Sequence, residues 1–246
     1  MFGGATALAV VLQLGPRKGK YSKDGKPQPI MGSNLVLVGL GTWILWMGWF
    51  GFNAGSALAA NGDAGMAMLV THVSAAAGAL TWMACEWTKF GRPSALGAVT
   101  GMVAGLGTIT PASGYVGPGG ALVIGILAGF VCYHATVFLK QRLKIDDSLD
   151  VFPVHGVGGA LGTLLAAVFA SAGLGVFSGQ GLAEGMTIAS QFQVQLIGVL
   201  ASGVYTAIVT FVLLKLIDRM LGLRVSQDEE TEGLDLTQHN ERGYDL

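Results

Sequence analysis

Apolar residues gather into runs of membrane-spanning length, and most of the charged residues collect between those runs or at their ends. Crossing a bilayer as a helix takes ~20 apolar residues. On that measure the pattern predicts six helices, over about 34–60, 65–87, 94–110, 119–139, 151–172 and 192–221. The stretches between them read as links: a basic polar segment at 16–30, a tight turn at Asn61-Gly62-Asp63, a short break at 89–93, a Pro/Gly-rich loop at 111–120, a charged link at 140–150 and a Gly/Ser-rich loop at 173–190. An earlier apolar run, about Phe2 to Leu14, is too short to span. It is expected to be the inner end of a further helix, in a chain that is one part of a longer protein.

The basic residues turn this list into a topology. Arg17, Lys18, Lys20, Lys23 and Lys26 precede the first predicted span, and Lys89 and Arg92 follow the second. Lys140, Arg142 and Lys144 follow the fourth, and Lys215, Arg219, Arg224 and Arg242 close the chain, which accounts for all 14. With strict alternation of six spans, every one of them falls on one face. Loops rich in Lys and Arg stay in the cytoplasm, so both ends are expected inside. The divisions this implies are a helix stub at 1–15, a cytoplasmic basic loop at 16–33, a transmembrane domain at 34–222 and a cytoplasmic tail at 223–246.

Composition agrees with a membrane protein: 52% of the 246 residues are hydrophobic and 12% are charged, against roughly 25% charged in soluble domains. The net charge of -1 hides the segregation described above. No basic patch is interleaved with aromatics, so nothing points to nucleic acid. Cys85 and Cys132 lie near the cytoplasmic ends of apolar runs, where thiols stay reduced, and no disulfide is expected. Glycine is abundant, at 39 residues, and part of it is ordered: Gly97, Gly101 and Gly105 recur every four positions, as do Gly125 with Gly129 and Gly158 with Gly162. Small residues at that spacing let membrane helices approach closely, which predicts a tight bundle.

Ionisable groups within hydrocarbon are few: His72, His134 and His155, flanked by Glu86 and Asp150. A titratable side chain at membrane depth is costly and marks a candidate pathway. His155 stands in Asp150-Val151-Phe152-Pro153-Val154-His155-Gly156-Val157-Gly158-Gly159 with glycines that leave room around its ring. A neutral imidazole there offers one donor and one acceptor to a small polar solute; the alternative is a histidine bonded to a neighbouring helix. His134, within two turns of Lys140, is expected to snorkel toward the inner surface. His72 is expected to make an interhelical hydrogen bond. The three histidines share no ligand-like spacing, which speaks against a metal site. Asp146, Asp147 and Asp150 open a helix, where the dipole and capping explain acidic residues. In the first full span Trp49, Phe52 and Ser56 fall on one helical face. Stacked aromatics with a hydroxyl beside them suit a small cation that carries N–H donors.

Four stretches together resemble the ammonium transporters of the Amt/MEP/Rh superfamily: Trp49-Phe50-Gly51-Phe52-Asn53-Ala54-Gly55-Ser56, Thr108-Ile109-Thr110-Pro111-Ala112-Ser113-Gly114, Asp146-Asp147-Ser148-Leu149-Asp150 running into Val154-His155-Gly156-Val157-Gly158-Gly159, and the tail from Gly233 to Tyr244. The resemblance covers residue 34 to the end. It implies an all-α polytopic fold, the second half of an eleven-helix inverted-repeat subunit, assembled as a homotrimer in the cell membrane with a narrow apolar pore for ammonium in each subunit. It further implies that Phe52 is a gate ring, that Ser56 and Trp49 line a recruitment site, that Thr110 lies near the pore mouth and that His155 is the second of two facing pore histidines. Asp150 and Asn53 are implied to be structural residues near the pore. The first pore histidine, the other gate phenylalanine and the vestibule tryptophan belong in the family to the first five helices. The stub Gly4 to Leu14 contains no histidine. No cofactor is implied. A second reading, of another class, is a sensor or docking module whose acidic tail, Ser226 to Leu246, binds a cytosolic PII regulator. An intramembrane enzyme would need a nucleophile or metal beside a base, and the short ionisable list contains no such pair.

Overall fold

The computed structural model describes residues 1–243. The last part of the expected docking tail, Tyr244 to Leu246, lies outside the described residues. The described chain is helical, with one isolated β-bridge, between Tyr21 and Pro27. The helices are α1 (Phe2–Leu14), α2 (Leu35–Gly55), α3 (Gly62–Phe90), α4 (Ala95–Ile109), α5 (Pro118–Val137), α6 (Gly158–Phe169), α7 (Ile188–Leu221) and the short α8 (Gln227–Glu232) and α9 (Leu234–His239). A π-helical turn, Phe138–Arg142, extends α5, and another, Phe152–Val157, leads into α6.

All six apolar runs form helices, and local chemistry explains where the limits differ from expectation. Asn61, expected in a turn, caps α3 by accepting from the Ala64 amide at 3.1 Å, so that helix starts early. A Thr187–Ser190 capping box starts α7 at Ile188, four residues before its apolar run. The helix α2 ends at Gly55 rather than near 60. Five helices are long and apolar enough to cross a membrane among the described residues. The exception is α4, whose 15 residues rise only ~22 Å. Thr110 keeps helical dihedrals, φ -50° and ψ -49°, but Pro111 after it has no backbone N–H with which to continue the ladder. Tight turns carry the chain on to Tyr115, where a Tyr115 amide to Ala112 carbonyl bond of 2.8 Å closes the last one.

The core is built around α3. Its neighbours α4 and α5 present glycines to it, and the Ser74 carbonyl occupies the space where side chains of Gly105 and Gly125 would stand. A Cβ on Gly105 would also lie 2.8 Å from the Ala75 Cα. The contact is sealed by the Ser74 hydroxyl, which donates to the Gly105 carbonyl at 2.9 Å. Gly162 of α6 meets the Thr108 carbonyl of α4 in the same way. The glycine periodicity thus serves backbone contact, where dispersion rather than the hydrophobic effect holds membrane helices together. Val70, Ile109, Val116 and Ile124 fill the space beside this seam. In contrast α2 and α7 keep most of their apolar side chains exposed, a surface suited to hydrocarbon or to another protein face.

The basic end of the bundle is tied by charge. Asp146 accepts from the Arg17 backbone amide at 3.0 Å and from its guanidinium nitrogens at 2.8 Å. Burial alone would raise the Asp146 carboxyl, but the bonds from Arg17 outweigh it and hold the group below its usual range. Asp147 caps the π-helical turn by accepting from the Phe152 amide at 2.7 Å, as expected for an acidic helix start. Asp150 pairs with Lys140. Cys132, five residues before the end of α5, is fully buried and packed with Trp82, Ala104, Tyr133 and Val154.

Two outcomes are expected from this packing. Gly105→Val forces two backbones apart and should destabilise the fold by at least the ~1–3 kcal/mol typical of overpacking, read as a lower midpoint in denaturant titration of the purified protein in detergent; a midpoint unchanged from the parent would contradict the seam. Because the folded Asp146 carboxyl is depressed, its stabilisation is present above the unfolded carboxylate value of ~3.9 and is lost as pH falls through the lower folded value. Hydrogen exchange at the Arg17 amide should therefore stay slow, relative to the unstructured rate, from pH 8 to 5 and lose protection below about pH 4, with Asp146→Asn removing that dependence.

Candidate functional site

At the end of the bundle away from the basic loops, a cavity of about 340 Å³ opens where the C-terminus of α2, the N-terminus of α3 and the turn after α4 converge. Phe52, Ser56, Asp63, Thr110, Tyr115 and Gln180 are among the residues that line it. The loop after α6 reaches the cavity because the Gln180 amide donates to the Tyr115 carbonyl at 2.9 Å and the Gly181 amide to the Ala170 carbonyl at 2.7 Å. Phe52 is 60% exposed, so its ring is open to a solute in the cavity. Ser56 turns its hydroxyl proton back to the Phe52 carbonyl at 2.8 Å, which leaves the oxygen's lone pairs as acceptors toward the cavity. Asp63 is the one charged group among the lining residues, so the cavity carries negative charge. A small cation with N–H donors meets here what it needs: ring faces, hydroxyl acceptors and a carboxylate.

Below the cavity the aromatic groups form a column. The Trp49 ring lies edge-on to Phe52 at 6.1 Å, and it also stacks within 10° of the His155 ring at 6.4 Å. Trp49, expected beside Ser56 at a recruitment site, is thus two helical turns deeper and outside the cavity wall. Its indole N–H donates to the Thr110 hydroxyl at 2.8 Å. Thr110 therefore serves both places, lining the cavity and holding the ring beneath it.

His155 rides on the π-helical turn Phe152–Val157. Pro153 supplies no backbone donor there, and such wide turns recur at functional sites. The ring is half-buried, and Gly156 beside it packs on the backbone of Gly4 in α1. Asp150 lies in the link at the basic end, in a left-handed conformation with φ 56°, and its backbone carbonyl accepts from the Val154 amide at 3.0 Å. Burial pushes its carboxyl above the usual range, with the charge of Lys140 opposing. Asn53 is buried and donates to the Thr71 hydroxyl at 2.9 Å, tying α2 to α3 one residue from Phe52. That bond fixes the rotation of α2, and with it the direction in which Trp49 and Phe52 point.

The other histidines take no part in this column. His72 reaches α2 through its ring, 5.2 Å from Trp46 and 6.0 Å from Phe50, rather than through the expected hydrogen bond. His134 is exposed on the outside of α5, edge-on to Phe130 at 4.5 Å and to Tyr133 at 5.2 Å. Among the described residues no group of three or more His, Cys, Asp or Glu side chains is placed to hold a metal ion. Reading the sequence did not assign Asp63, Tyr115 or Gln180 to the site, because they come from separate places in the chain, the first turn of α3, the turn after α4 and the loop after α6, and it had no means of pairing Trp49 with His155 or Thr110. The local signals were the periodic placement of Trp49, Phe52 and Ser56 and the histidine among glycines at 155–159.

Comparison with known proteins returns one family. The profile described as the Ammonium Transporter Family matches residues 1–244. A putative ammonium transporter of Methanothermobacter thermautotrophicus is 46% identical over 244 residues, 99% of this chain and 58% of that protein. An ammonium transporter of Bacillus subtilis is 40% identical over 98% of this chain and 57% of its own length. Among solved structures, one described as a Sensor Amt Protein superposes with a TM-score of 0.89 at 34% identity over 96% of this chain and 57% of its own. Saccharomyces cerevisiae Mep2 superposes at 0.78 and 36% identity, over 92% and 52%. The chain thus spans somewhat more than half the length of the relatives it matches.

Proposed function

The chain belongs to the ammonium transporter family, and we propose that its cavity and aromatic column form one wall of a pore that takes up ammonium and passes ammonia across the membrane. The observation that carries this reading is the alignment of Phe52, Trp49 and His155 in ring contact, running inward from a negatively charged mouth. Ammonium is held at the mouth by the Phe52 ring and the Ser56 oxygen, with Asp63 raising the local concentration of cations. Stripping its water and moving the bare cation into an apolar lumen is prohibitive without compensating groups. Ammonium therefore gives up a proton to water in the mouth, and NH3 continues beside His155, whose ring offers one donor and one acceptor. The mouth then faces outward, and the basic end with Arg17 and Asp146 faces the cytoplasm, as the distribution of Lys and Arg favours. Asp150 and Asn53 hold the frame. In the assembled transporter, taken to be a homotrimer in the cell membrane, each subunit has its own pore.

A second reading concerns the tail. It is not a loose extension: Glu230 in α8 accepts from the Lys18 backbone amide at 2.8 Å and from Arg224 at 2.9 Å, and Arg224 also donates to the carbonyls of Leu14 and Pro16 at 2.7 and 2.9 Å. A tail held in one place against the basic loop suits a docking surface for a cytosolic PII regulator, and the similarity to a Sensor Amt Protein supports it.

Uptake of labelled methylammonium tests the first reading. Phe52→Ala and His155→Ala should each lower the maximal rate at least about tenfold, equivalent to ~1.4 kcal/mol of barrier, with protein abundance unchanged; normal uptake in both variants would remove the pore assignment. For the second, removing residues 226–246 should abolish retention of purified PII protein on the immobilised transporter, and equal retention without the tail would overturn it.

A further inference from the structure

Trp49 makes two contacts that together constrain His155. Its indole N–H is used by the Thr110 hydroxyl at 2.8 Å. The Thr110 hydroxyl proton is itself committed to the Leu106 carbonyl at 2.7 Å, which turns an oxygen lone pair toward the indole and fixes the donor's direction. The plane of Trp49 is thereby set by α4, although the residue belongs to α2. That plane lies within 10° of the His155 ring. Gly107 of α4 also approaches the imidazole: a Cβ there would lie 3.6 Å from His155 Nδ1. The imidazole thus meets both an indole ring and a backbone position that bears no side chain.

These contacts matter because the backbone beneath His155 does little to hold its ring. The π-helical turn is wider than an α-helical one, and the terminal torsion of a histidine is broad and roughly two-fold. A ring free to rotate would present Nδ1 and Nε2 to the lumen interchangeably. Transfer of a small solute along a fixed line of donors and acceptors depends on one of them being presented in a constant orientation.

From these contacts we infer that Trp49 and Thr110 act as a pair of positioning residues that fix the plane of the His155 imidazole. The inference rests on the pore reading above and gives Trp49 a role separate from ammonium recruitment. Neither residue exchanges a proton with the solute in this scheme. The effect reaches transport only through His155, which separates it from binding at the mouth.

The test uses the whole chain in lipid nanodiscs and in proteoliposomes. Thr110→Val and Trp49→Phe each remove one partner of the bond while keeping a side chain of similar shape, and Thr110→Ser keeps the hydroxyl. With ring-labelled histidine in nanodiscs, the His155 signal being identified by its loss in His155→Ala, the imidazole order parameter should be near the rigid value of ~0.85 in the parent and in Thr110→Ser, and fall to about 0.6 or below in the other two. In proteoliposomes those two should lower the maximal rate of methylammonium uptake about fivefold to tenfold with KM unchanged. Their combination should be no worse than either alone, since both break one bond, and neither should add to the loss in His155→Ala. A rigid His155 ring in Thr110→Val and Trp49→Phe, or additive losses in the double variant, would overturn the inference. Full uptake by His155→Ala would instead remove the pore reading, while the order parameter would still decide whether the pair holds the ring.

Discussion

Backbone contact across α3 is the constraint on which the rest of the structure depends. The Ser74 carbonyl occupies the room that side chains on Gly105 and Gly125 would need, so α4 and α5 close on α3 to a distance that no other residue permits. In a bilayer, lipid tails are as apolar as leucine, and helices associate through such close packing and the hydrogen bonds it allows. The Ser74 hydroxyl to the Gly105 carbonyl is one of those bonds. The same economy of space recurs where Gly162 meets the Thr108 carbonyl. That contact seats α6 on α4 and brings His155 beside Gly107.

Once these helices are in contact, the site follows from two lateral ties. The Asn53 amide bonds to Thr71 and sets α2 against α3. The Trp49 indole bonds to Thr110 and sets it against α4. Both lie on the otherwise exposed helix α2, whose apolar surface gives little positional information of its own. A helix held by two hydrogen bonds about one turn apart has little freedom to rotate about its axis, which keeps Phe52 at the cavity and Trp49 over His155.

The two ends of the bundle use charge differently. At the cavity a single carboxylate, Asp63, stands among ring and hydroxyl groups, an arrangement suited to a small cation. At the basic end each buried carboxylate is already answered: Asp146 by Arg17, Asp150 by Lys140, Asp147 by the Phe152 amide. There the charges join the basic loop, the link before α6 and the tail into one scaffold, and the hydrogen bonds that the Phe152 and Val154 amides donate to the Asp147 carboxylate and the Asp150 carbonyl fix the start of the turn that carries His155.

Much of this was legible in the chain itself. Apolar run length located the helices, because hydrocarbon thickness admits few alternatives, and the placement of lysines and arginines ordered them into an alternating topology. The glycine periodicity predicted close packing, and the resemblance pointed to Phe52, Ser56, Thr110 and His155. Helix limits shifted where polar caps such as Asn61 and Thr187 outreached the apolar runs. The tertiary structure alone decided which glycines meet which carbonyls, that His72 and His134 stand on the outside, and that Trp49 lies over His155 rather than beside Ser56. Periodicity reports which residues share a face of one helix, whereas the partner of that face is set by contacts between residues distant in the chain. Residues 49, 110 and 155 meet only after three helices have packed.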